Sequence, residues 1–103
     1  MANRITAADL ERIVERINAI AGMPATPYSP PDETGRPRAN PGNFHLEWAY
    51  GGARLCRMSL TGGSGTSDIT GRVTRREMYH LLHAYRDGLW LGLELAARRE
   101  ETP

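Results

Sequence analysis

Apolar positions recur at spacings of three and four near both ends of the chain and alternate with polar ones in the middle, which predicts two helices flanking a hairpin. Leu10, Ile13, Val14, Ile17, Ile20 and Ala21 form the first stripe, with Glu11, Arg12, Glu15, Arg16 and Asn18 on the wet side. Thr6 is placed as N-cap with Asp9 as its capping-box partner, and Ile5 and Leu10 fall where a hydrophobic staple needs them. Gly22 suits the position after the last turn, and Pro24 prevents continuation. The stripe reads as an ordinary core helix; a strict a/d seam would instead pair helices between chains.

From 23 to 43 the pattern disappears. Prolines 24, 27, 30, 31, 37 and 41 interrupt polar residues, which predicts an extended surface loop without helix or paired strand. Residues 44–60 then read as a hairpin around Gly51-Gly52. A two-residue turn would pair Leu46 with Arg57 and Trp48 with Leu55; a connection through Tyr50-Gly51-Gly52, the favoured register, pairs Phe44 with Met58, Leu46 with Cys56 and Trp48 with Arg54, leaving His45, Glu47 and Arg57 on the other face. Trp48 is thereby expected in the core. Two strands are not stable alone, so they must lie on a helix or join a second subunit's sheet.

Residues 61–70 are too polar to pack and predict a glycine-rich loop that runs to Gly71. The second helix repeats the start signal of the first, with Thr74 as cap, Glu77 closing the box and Val73 with Met78 as staple. Met78, Leu81, Leu82, Tyr85 and Leu89 are its expected buried stripe. Past Gly88 the apolar positions widen to Leu89, Trp90, Leu91, Leu93 and Leu95, nearly all round the helix. Residues 89–103 thus form an apolar, then charged, extension. One small domain has too little core to hide that surface, which predicts a homo-oligomer built through this helix. Gly88 and Gly92 would admit a close partner backbone; alternatively Asp87-Gly88 ends the helix. The expected fold is α+β: helix, proline-rich loop, hairpin, glycine-rich loop, long helix.

Composition narrows the functions. The 103 residues make one domain with room for two packed layers. No apolar run is long enough for a membrane span, and the first residues lack a signal-peptide core, which predicts a cytoplasmic protein. Cys56 has no disulfide partner in the chain and reads as a small core residue. The formal net charge of +1 does not resemble a nucleic-acid coat. All 13 basic residues are arginine. Codon bias explains that, as does selection for bidentate anion recognition. The lack of lysine removes Walker A, Schiff-base and lysine-base chemistry.

The candidate chemistry is anion binding. Arg72, Arg75 and Arg76 oppose the dipole of the helix they open and call for something negative. The loop amides of Gly62 and Gly63, the hydroxyls of Ser64, Thr66 and Ser67, and these arginines would surround a phosphate, with Arg54 and Arg57 as helpers. Asp68 or Glu77 could instead supply the counter-charge internally. His80 and His83 stand one turn apart, and a metal would need further ligands from His45, Glu47 or Cys56; a solvated face explains the pair better, so neither a metal nor a cofactor is expected. No nucleophile elbow or paired carboxylates appear, and an enzyme is not expected. Arg54, Arg57, Trp48 and Tyr50 could also stack and neutralise a single nucleic-acid strand.

WAYGGARLCRM, GGSGTSD and GRVTRREMYHLLHAYRDG together resemble a group of small uncharacterised proteins encoded by tailed phages and prophages. The likeness covers about residues 1–88 and stops at the apolar extension. It implies an accessory protein that binds host components rather than catalysing a reaction, with counter-defence as its setting. The ligand would be a host protein or a phosphate-bearing, nucleotide-like molecule; nucleic acid and a protein-directed inhibitor using the C-terminal helix are the alternatives.

Overall fold

The computed structural model describes residues 4–61 and 65–101. The fold is α+β, with one helix at each end and the strands between. Helix α1 spans Ala7–Ala21. Its start is set as the sequence requires: the Thr6 side chain accepts from Asp9 N at 3.1 Å, and Thr6 N donates to the Asp9 carboxylate at 2.9 Å. Gly22 closes the helix in the left-handed conformation, φ 70°, where a Cβ would be strained. Leu10, Ile13, Val14 and Ile17 are buried inside this chain, so this stripe is not available for pairing with another. Asn18 departs from its expected place on the wet side. It is 2% exposed, donating Nδ2–H to Phe44 O at 2.9 Å and accepting from Phe44 N at 2.7 Å.

The proline-rich stretch contains a paired ladder after all. Strands β1 (Tyr28–Ser29) and β2 (Arg38–Ala39) run antiparallel, with Tyr28 opposite Ala39. Prolines 27, 30, 37 and 41 stand outside these two short strands, and Asn40 ties them by donating to Thr26 O at 2.9 Å.

Strands β3 (Phe44–Ala49), β4 (Gly52–Met58) and β5 (Thr66–Asp68) form an antiparallel sheet in that order. The hairpin register is one residue off the expected one: Phe44 faces Arg57, Leu46 faces Leu55 and Trp48 faces Ala53, around Tyr50-Gly51. Gly52 belongs to the strand because the chain crosses it there. A Cβ on Gly52 would lie 1.9 Å from Val73 O, and Ala53 bonds Val73 in both directions at 3.0 and 2.9 Å. The shift puts Cys56 and Arg54 on the face of His45 and Glu47, away from the helices. β5 arises in the predicted loop, where Cys56 pairs with Asp68 and Met58 with Thr66, so the hairpin gains a third strand within the chain.

Helix α2 spans Arg75–Glu101 and is continuous through Gly88 and Gly92. Thr74 accepts from Glu77 N at 3.2 Å, as a cap should. Met78 and Leu82 are fully buried, and Tyr79, Tyr85 and Leu89 pack partly against the core. Leu81, expected in that stripe, is 41% exposed. The core is three-sided: Leu10, Ile13, Val14 and Ile17 from α1, Phe44, Leu46, Ala53 and Leu55 from the sheet, Met78 and Leu82 from α2. Each large side chain contributes about 1.5–3 kcal/mol by burial.

The two helices run the same way. Ile5, Arg12 and Ile13 share a cleft with Arg76, Tyr79 and His83, while Arg16, Ala19 and Ile20 share one with Arg86, Asp87 and Trp90. α1 ends near Trp90, and α2 continues to Glu101, an overhang of roughly 16 Å at about 1.5 Å per residue. The radius of gyration is 15.6 Å, against about 13 Å for a compact domain of this size.

Candidate functional site

The expected phosphate cradle is not assembled among the described residues. Gly62, Gly63 and Ser64 lie outside them. Their neighbours Thr61 and Gly65 follow the Met58 end of β4, whereas the start of α2 hangs on Ala53 at the other end through Val73. Those two points are separated by roughly 16 Å of strand at about 3.3 Å per residue. Thr66 opens β5 opposite Met58, at the end far from the arginines.

The arginines themselves diverge. Arg72 donates to Glu47 O at 3.2 Å, the Arg75 guanidinium lies 5.7 Å over the Trp48 ring, and Arg76 lines the cleft with Arg4 and Arg12. Arg54 and Arg57 are three apart on β4, so their side chains leave opposite faces. Trp48 is 38% exposed rather than in the core, with its Nε1–H donated to Glu11 at 3.0 Å. Tyr50 is fully exposed at the turn.

The register assembles a different cluster on the outer sheet face. Arg54 bridges Glu47 at 2.7 Å and Asp68 at 3.3 Å, joining all three strands. Beneath it the Cys56 thiol donates to the Glu47 carboxylate at 3.7 Å and the Asp68 carboxylate at 3.6 Å. Burial, the bond to Asp68 and the two negative charges push that thiol up to about 11, so it stays protonated at neutral pH and is a poor nucleophile. The Arg54 bond holds Glu47 below its ordinary carboxylate value. The charges pair across the three strands as a clasp, with the buried Arg54 Nε left without a hydrogen-bond partner. Among the described residues no three His, Cys, Asp or Glu side chains are placed to share a metal ion. His80 and His83 meet Tyr79 edge-to-face, with centroids 5.7 and 4.4 Å from its ring.

The surface left over is apolar and helical. Trp90, Leu91, Leu93 and Leu95 are each 46–55% exposed on the overhanging part of α2. At its root Arg16, Ala19 and Ile20 of α1 and Arg86, Asp87 and Trp90 of α2 enclose a groove of about 660 Å³. Trp90 is fixed there by an Nε1–H bond to Glu94 one turn on, at 2.8 Å. Leu93 lies on the same side of the helix as Trp90, next after the body-facing stripe. The sequence signalled the apolar widening after Gly88, but the part played by Arg16 and Ile20 depends on the parallel run of the helices. No helix among the described residues is long and apolar enough to cross a membrane.

Compared with models of protein families, with curated proteins and with solved structures, the chain matches none.

Proposed function

We propose that this chain is a non-enzymatic accessory protein of phage or prophage type, acting in the host cytoplasm by binding a host protein and so blunting a host defence. The observation that carries this reading is the helical arm: Trp90 and Leu93 held half-exposed on one side of a continuous helix, beside a formed groove. Apolar area of that kind is worth roughly 25 cal/mol per Å² when covered, and aromatic anchors such as Trp90 dominate contact surfaces. An apolar helix of a host protein laid along Ile20, Trp90 and Leu93 is the matching occupant. A phosphate-bearing ligand is the less supported mode, because Arg76 lines a cleft apart from Arg72 and Arg75, which lie on Glu47 and Trp48, and Thr66 opens β5 at the far end of β4.

The test is a phage-infection assay in cells expressing the protein, with host proteins captured in parallel. A Trp90→Glu/Leu93→Glu chain is expected to lose both the protective effect and the captured host protein by about tenfold or more. Full activity in that chain would overturn the reading. Loss of activity only in an Arg72/Arg75/Arg76 to Ala triple variant would return the weight to an anionic ligand.

A further inference from the structure

Helix α2 carries a second apolar line that neither the core nor the Trp90 groove uses. Leu81, Ala84, Gly88, Leu91 and Leu95 follow one another at spacings of three, four, three and four, the a/d rhythm of a paired helix. All five are exposed, Leu81 by 41%, Leu91 by 53% and Leu95 by 48%. At about 100° per residue this line stands about 110° round the helix from Met78, Leu82, Tyr85 and Leu89, and on the side opposite Trp90 and Leu93. The displacement explains why Leu81 misses the core.

We infer that this line is the contact with a second copy of the chain, formed by antiparallel packing of two α2 helices across Gly88. Three features select that occupant. The seam is nearly symmetric in spacing about Gly88, with leucine at each end, so a two-fold axis there lays Leu81 of one copy over Leu95 of the other and Leu91 over the small Ala84. A Cβ on Gly88 meets nothing within 4 Å in the single chain, so the place left open admits a partner backbone. The same three-four spacing continues to Glu77 at one end and Arg98 at the other. Parallel pairing would set like charges against each other at both ends, whereas antiparallel pairing sets Glu77 near Arg98 and opposes the helix dipoles. The seam from Leu81 to Leu95 runs roughly 21 Å at about 1.5 Å per residue, long enough for a modest, concentration-dependent dimer. This pairing deepens the contact reading above without depending on it, since the two use opposite sides of the arm.

Sedimentation equilibrium of the full chain over a wide concentration range reads the result. The mass is expected to rise from 11.4 kDa toward twice that value. Leu91→Glu and Gly88→Leu should each weaken association by about tenfold or more while the circular dichroism and melting curves stay those of a folded chain. Trp90→Glu should dimerise like the wild type. In a Cys56→Ala background, mixed Leu81→Cys and Leu95→Cys chains should be joined to one another by a short bis-maleimide rather than each to its own kind. A wild type that stays monomeric throughout, a Leu91→Glu chain that dimerises as tightly, or like-with-like cross-linking would each overturn the inference. Loss of host-protein capture in Trp90→Glu with the dimer intact, or the reverse in Leu91→Glu, separates this inference from the functional reading.

Discussion

At Asn18 the side-chain amide does the work of a neighbouring strand. Both its atoms bond the backbone of Phe44, whose N–H and C=O point outward from β3 because the alternate residues bond β4. Asn18→Leu keeps the bulk but leaves two backbone groups without partners. That change is expected to lower stability by about 2–4 kcal/mol in urea unfolding, more than an ordinary surface change. Periodicity counts apolar positions and so assigns Asn18 to solvent; only the approach of Phe44 reveals its role. Cys56 shows the same limit. Its burial followed from composition, but its carboxylate neighbours followed from a register that a glycine pair could set in more than one way.

Between elements, the legible signals are those written within four or five residues. Both N-caps and the Gly22 stop stand where local chemistry puts them. What comes from across the fold is not written locally: β5 and the β1–β2 ladder are polar, short and stabilised by whatever lies opposite. Gly52 is the clearest instance. Read alone it belongs to a turn, whereas its bareness serves the passage of Val73. Gly52→Ala must push the chain at Val73 away and break both bonds to Ala53. The expected cost is about 2 kcal/mol or more in thermal unfolding, with faster hydrogen exchange at the Ala53 and Val73 amides.

Across the whole molecule, the core is complete before the arm begins, since its last fully buried side chain is Leu82. A chain cut after Trp90 is therefore expected to keep a cooperative unfolding transition, within about 1 kcal/mol of the full chain, while losing both self-association and host-protein capture. Retained capture would place the contact on the body instead. The arm was legible because an apolar surplus needs no tertiary information. The separation of the glycine-rich connection from the arginines of α2 was not, because the connection entering β5 and the one leaving it fall at opposite ends of the sheet, and sequence adjacency hides that distance.

The shared direction of the two helices has an electrical consequence. Antiparallel neighbours cancel their fields, but here both amino ends open on one side of the body, where Arg4, Arg12 and Arg76 line a cleft with Asp9, which is paired with Arg12. The two dipoles add to a positive amino end that the Asp9 and Glu77 carboxylates of the first turns offset in part, while the arm trails from the other end. A polyanion within about a Debye length, roughly 8–10 Å, would feel that end of the body before the arm. Such an encounter would leave the apolar helix pointing outward.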